Sequence, residues 1–181
     1  MIRSARWLFL AAMLPIAACA SNTPAPVAVA TPVPPPLAAA DQTFVNAAAS
    51  SDAAEVQLGQ LAATKAHNPR IKTFASTMVT AHTQTTQQLQ TIAQSKGVTP
   101  DATLSPAAQA MLKKLTAAHP GAAFDRDYIR NQVAAHMAAV QAFQAEIASG
   151  SDADLKAFAT STLPTVQSHL KMARQLAGMR H

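Results

Sequence analysis

From Asp41 onward, the residues that stop helices gather at a few points: Asn68-Pro69, the run from Gly97 to Pro106, Pro120-Gly121 and Gly150. Between them lie long stretches in which apolar side chains recur at helical spacing. Alanine, the best intrinsic helix former, supplies most of the 49% hydrophobic share, while aromatic residues make up only 4%. The first long helix is expected from about Gln42 to His67, with Asp41 as its N-cap. The second opens at Pro69 behind Asn68 and runs to about Lys96, where Gly97 stops it. Ser105-Pro106 begins a short helix to about His119. The third long helix covers Ala122–Ser149, and the fourth about Asp152–Met179, with Pro164 inside it and expected to kink it. Each long helix spans about 40 Å at 1.5 Å per residue. None is apolar all round, so each must bury its stripe against the others.

A weak repeat orders these helices. Ile71-Lys72-Thr73-Phe74-Ala75 in the second is answered by Leu155-Lys156-Ala157-Phe158-Ala159 in the fourth. The chain thus reads as two copies of a helical hairpin. The connection between the copies, about 24 residues with a short helix of its own, is long enough to run the length of a bundle. The expected fold is all-α: a ferritin-like four-helix bundle over residues 41–179, with one long crossover containing the extra helix.

Each long helix carries one titratable group in its apolar stripe. His82 lies among Ile71, Phe74, Met78, Thr85 and Leu89; His136 among Ile129, Val133, Val140, Phe143 and Ile147; His169 among Leu155, Phe158, Thr162, Val166 and Ala173. Glu55 lies in the stripe of Phe44, Ala48, Leu58 and Ala62. Glu55, His82 and His136 each fall about 20 Å along their helices, and His169 about one turn further, so the four are expected at one level of the core. A buried Glu or His must be hydrogen-bonded, paired or metal-bound. One carboxylate and three imidazoles suit a single Zn, Cu or Fe ion, and Met78 and Met172 could add thioethers that favour copper. The alternative is a network in which these groups satisfy one another and both methionines only fill the core. A di-iron centre would need Glu-x-x-His on two helices, yet Val79 and Val166 stand three residues before His82 and His169.

The other polar residues read as structural. His67 and His119 sit at helix C-termini, and Asp125-Arg126-Asp127 reads as acidic first-turn placement with a local ion pair. Lys113-Lys114 reads as a solvated face. No nucleophile elbow, P-loop, HExxH or dinucleotide fingerprint occurs, so no motif calls for an enzyme or fixes a cofactor.

The N-terminal stretch MIRSARWLFLAAMLPIAACASN reads as an address. Arg3 and Arg6 precede an apolar core, Trp7 to Leu14, that is too short to span a bilayer. Ile16-Ala17-Ala18-Cys19 follows the lipobox pattern, which makes residues 1–18 a lipoprotein signal peptide and Cys19, the single cysteine, the lipidated residue. The alternative is a secretory signal cleaved after Ala18 or Ala20. Residues 19–40 then form a Pro/Ala-rich tether. Its segment from 22 to 40 has six of the twelve prolines and no charge, and at about 3.1 Å per residue it reaches roughly 60 Å. No acidic retention signal follows Cys19, so the expected location is the outer membrane, facing the periplasm. The formal charge is +5; without Arg3 and Arg6 it is +3, twelve basic residues against nine acidic. Spread this thinly, it is no nucleic-acid footprint. The expected partner is the membrane, through the lipid; a homo-oligomer stays open.

The segments FVNAAASSDAAEVQLGQLA, NPRIKTFASTMVTAHT, GAAFDRDYI and LKAFATSTLPTVQSHLKMA resemble bacterial domain-of-unknown-function family 4142, a family of predicted outer-membrane or periplasmic proteins. The likeness spans about residues 42 to 178. It implies a ferritin-like bundle in the cell envelope, with Glu at 55 and His at 82, 136 and 169. The family pattern usually places Asp directly before the second and third of these, where this chain has Ala81 and Ala135. The reading is therefore a lipid-anchored envelope protein, a non-enzymatic binding or structural module. A metal-binding, stress-related protein using Glu55, His82, His136 and His169 is the alternative. A metal-dependent oxidase has too few carboxylates.

Overall fold

In the computed structural model, which describes residues 36–178, the helix ends fall at the sequence stop signals with one exception. The helices are α1 (Ala39–Lys65), α2 (Pro69–Ser95), α3 (Pro106–Ala117), α4 (Ala122–Ser149) and α5 (Ala153–Ala177). Asn68 caps α2 by accepting from the Arg70 amide at 2.9 Å, and Ser105 caps α3 from Ala108 at 3.2 Å. Asp152 caps α5 through the amides of Asp154 and Leu155. Gly97, with φ of 70°, closes α2 by a Schellman turn, in which Val98 N–H reaches the Ala93 carbonyl at 2.9 Å. α5 runs on through Pro164, which offers no N–H to the Thr160 carbonyl. The signal segment, Cys19 and most of the tether lie outside the described residues.

The exception is Asp41. It was expected to cap the first helix, but α1 begins earlier, behind Ala38, and Asp41 is buried in its first turn. Its carboxylate instead accepts the amides of Ser151 at 2.8 Å and Asp152 at 3.1 Å, where α4 gives way to α5. Asp125 at the start of α4 does the same at the other end. It takes the amides of His67 at 2.9 Å and Asn68 at 2.8 Å, between α1 and α2. The expected local ion pair in Asp125-Arg126-Asp127 is therefore corrected: Asp125 is a buried clamp, and Asp127 pairs with Lys114 of α3 at 2.8 Å. Glu146 lies against Asp41; burial and that carboxylate push its pKa up to about 7.

These clamps set the topology. α1 begins beside the end of α4 and ends beside its start, so α1 and α4 are antiparallel. With hairpins α1–α2 and α4–α5 each folding back on itself, the order is up-down-down-up, the ferritin-like arrangement with one long crossover. Within the first hairpin, a Cβ at Gly59 would meet Val79 Cγ2 at 2.8 Å, so α1 and α2 pack closely there. Lys96 ties the end of α2 to the start of α5 through Asp152 at 3.0 Å and Asp154 at 2.6 Å. The crossover helix α3 inserts Leu115 into the core, and Lys65 donates to the Leu115 and Thr116 carbonyls at its end.

The core consists of two apolar clusters. One holds Leu58, Ile71, Phe74, Met78, Phe124, Tyr128 and Ile129. The other holds Phe44, Val45, Leu89, Phe143, Leu155 and Phe158, with the Phe44 and Phe143 rings edge to face at 5.2 Å. Between the two lies a layer of buried polar side chains. Replacing Asp125 by Ala leaves two backbone amides unpartnered and is expected to cost about 2 to 3 kcal/mol. Replacing Asp127, half of a partly exposed pair, should cost under about 1 kcal/mol. Urea unfolding compares them; equal losses would remove the clamp from this account of the fold.

Candidate metal centre

Every bundle helix contributes to the polar layer. α2 supplies His82, α4 His136 and Gln132, α5 His169, and α1 both Asp52 and Glu55; all are buried. The His82–His136, His82–His169 and His136–His169 ring centroids lie 5.6, 5.7 and 5.5 Å apart, a nearly equilateral triangle. One ring nitrogen from each lies within 4.8 Å of the other two.

Hydrogen bonds fix where the protons sit. His136 Nδ1 stands 3.0 Å from the Gln132 carbonyl, which can only accept, so Nδ1 carries the hydrogen and Nε2 is a bare lone pair. His82 Nδ1 stands 2.7 Å from Asp52 Oδ1, with a proton between them, so Nε2 again points away from the partner. His82 Nε2, His136 Nε2 and His169 Nδ1 are all buried with no protein partner. An orphaned buried polar atom costs about 1 to 3 kcal/mol, and three in one place call for a ligand. Anchoring one ring nitrogen on a carboxylate or carbonyl while the other faces inward is the outer-shell pattern of metal-binding imidazoles. Nitrogens around one ion at about 2.0 Å stand roughly 3.3 Å apart, so a small inward movement would close the triangle on a metal. The donor set fits a single Zn or Cu ion.

Charge follows the same plan. Burial lowers the His136 pKa to about 4, with the neighbouring His82 charge adding to it and the Gln132 carbonyl working against it. His169 is likewise brought to about 4 by burial and then by His136 and His82. For His82, burial works downward, but the Asp52 hydrogen bond and the Glu55 and Asp52 charges together raise its pKa. Burial also raises the Asp52 and Glu55 carboxyls, in spite of their partners.

Of the four expected ligands, the three histidines come together and Glu55 does not join them. Its carboxylate accepts from Gln132 Nε2 at 2.7 Å instead. The acidic group that reaches the cluster is Asp52, which sequence reasoning missed. Residues three apart on a helix differ by about 60° in direction and 4.5 Å in height, so Asp52 faces α2 while Glu55 faces α4. The signal was there: Asp52 lies four residues after Ala48, on the same stripe. Gln132, four before His136, was missed in the same way. Met78 is wholly buried in the first apolar cluster, and Met172 packs at its edge.

A cavity of about 480 Å³ adjoins the layer. Its lining includes Asp52, Glu55, His82 and His169, together with alanines, serines and threonines. A larger groove, about 790 Å³, runs outside α4 and α5 from Met137 to Arg174 and touches none of these groups.

Fold and site together define a ferritin-like four-helix bundle with a buried histidine cluster. The chain belongs to the DUF4142 family, a domain of unknown function whose profile matches residues 27–176. Comparison with curated proteins gives no significant match. Among solved structures, the chain is similar to a DUF305 fragment from Deinococcus radiodurans, with a TM-score of 0.70 and 15% identity over 80% of this chain and 99% of that one. It is also similar to CopM in its Cu(II)-bound form, with a TM-score of 0.64 and 19% identity over 76% and 95% of the two chains. For CopM in its Cu(I)-bound form the TM-score is 0.64, with 21% identity over 75% and 93%. At these identities the likeness is one of fold.

The lowered histidine pKa values carry a sign. The folded values lie below the ordinary 6.5, so as pH falls the unfolded chain takes up protons first. His136 and His169 therefore contribute fully above 6.5 and weaken the fold as pH drops from 6.5 toward about 4. His82 has the opposite sign: its contribution is present below 6.5 and lost as pH rises through its folded value. The stability advantage of the metal-free wild type over His169→Gln is expected to widen between pH 4 and 6.5. Urea unfolding along that range checks it; an advantage that shrinks with rising pH would mean His169 keeps its proton when folded.

Proposed function

We propose that this protein is a non-enzymatic metal-binding module of the cell envelope, holding one transition-metal ion, copper foremost, on His82, His136 and His169. The observation that carries this reading is three buried imidazoles, one ring nitrogen of each within 4.8 Å of the others, and each with a ring nitrogen that has no protein partner. Imidazole suits Cu and Zn, and divalent copper binds nitrogen and oxygen sites more tightly than zinc. Asp52 and Glu55 supply the negative charge a buried divalent cation requires. The fold similarity to CopM, a protein seen with both Cu(II) and Cu(I), favours copper over zinc. In this reading Asp52 positions His82, and Gln132 links His136 to Glu55, its carbonyl taking the imidazole N–H and its amide reaching the carboxylate.

The test is metal content and affinity of the purified mature protein. One Cu(II) per chain is expected, lost in His136→Gln with the helical signal intact. Glu55→Gln should keep the stoichiometry, and Asp52→Asn should weaken affinity by about 10- to 100-fold. A folded wild type that retains neither Cu nor Zn would leave the histidines as a purely structural network.

The envelope address is part of the proposal and rests on the signal sequence ending at Cys19, with the outer membrane, facing the periplasm, as its destination. Cys19→Ser should release the protein from membranes on fractionation. Retention in the outer-membrane pellet would put the anchor elsewhere.

A further inference from the structure

The cavity beside the histidines is too large for a packing defect. Well-packed cores leave few voids bigger than a water molecule. At about 480 Å³ this one falls within the range of roughly 300 to 1,000 Å³ typical of small-molecule sites. Short side chains keep it open: Ala48 on α1, and Ala139 and Ala142 on α4, where a leucine would narrow it. Ala138 of α4, also in its lining, is exposed, so the cavity reaches solvent. Its lining includes His82 and His169, two of the three histidines with an orphaned nitrogen.

Three nitrogens leave Zn, which ordinarily takes four ligands, one short, and the same vacancy faces a Cu(II) ion. No further His, Cys, Asp or Glu joins the cluster among the described residues. We infer that the cavity is a binding site for a small neutral nitrogen donor of the imidazole class, which shares with the three histidines the ion they hold. The inference rests on the metal-binding reading above. Neutrality follows from the surroundings. Asp52 and Glu55 line the cavity and repel an anion, no Lys or Arg in the lining offsets them, and a cation has no lone pair to offer the ion. A flat heteroaromatic ring meets both conditions and matches the ligand type already present.

The experiment uses the mature chain and begins by measuring its bound Cu(II). Imidazole is then titrated in, and the visible and electron paramagnetic resonance spectra of the copper are followed. The wild type should show a saturable shift. In the double variant Ala139→Leu/Ala142→Leu, which narrows the cavity, the half-saturating concentration should rise at least tenfold with copper content unchanged. Ala138→Leu, at the exposed rim, carries the comparison if the double variant fails to fold. No spectral change in copper-loaded wild type, or equal half-saturation in wild type and narrowed variant, would overturn the inference. Absence of bound copper at the first step would instead overturn the metal reading, and this inference with it.

Discussion

A nitrogen lone pair taken out of water must meet a proton or a cation. In this bundle three imidazoles, each with such a nitrogen, stand together in a layer with an apolar cluster on either side. Full protonation would put three positive charges within a few ångströms of one another in a buried layer, and burial first, then the neighbouring imidazoles, bring the His136 and His169 pKa values down. Leaving the nitrogens bare costs hydrogen bonds. The remaining arrangement of the layer follows from this choice. Asp52 holds one ring by its far nitrogen, a backbone carbonyl holds the second, and Gln132 connects the second to Glu55.

Such a layer needs a rigid frame, since a shift of about an ångström separates a cluster that can close on an ion from one that cannot. The frame comes from the ends of the bundle. Each buried aspartate clamps the turn of the opposite hairpin, so the hairpins are joined above and below the histidines. The middle is then free to be built from chemistry less favourable to packing. Alanine suits this. It lets helices approach without filling the space between them, and the cavity beside the cluster is walled by it.

Much of this could be read from the chain. Breakers and caps located α2, α3 and α4 almost to the residue, because Asn68, Ser105 and Gly97 act on backbone groups only a few positions away. The convergence of His82, His136 and His169 followed from counting residues along straight rods. Asp41 and Asp125 were misread because an acidic residue near a helix start looks like a local cap, while their partners lie more than 50 residues away. Asp52, the carboxylate that meets His82, was passed over for a related reason. Asp52 and Glu55 both lie on the inner stripe of α1, and which one meets the imidazoles depends on the rotation of that helix against α2. No periodicity within a single helix encodes that angle.

The two hairpins share a register of 84 residues: Asp125 follows Asp41, and Asp152 follows Asn68, by that interval. The same interval pairs Asp52 with His136, Glu55 with Ala139, His82 with Val166, and Thr85 with His169. The halves agree in their end clamps and in the helix-capping residues Asn68 and Asp152, and differ in the middle. A hairpin that met an identical copy of itself would offer every polar group twice, on either side of a central axis. In the fused chain each half is released from that mirror requirement, so an odd number of imidazoles, which no twofold pairing can supply, becomes attainable.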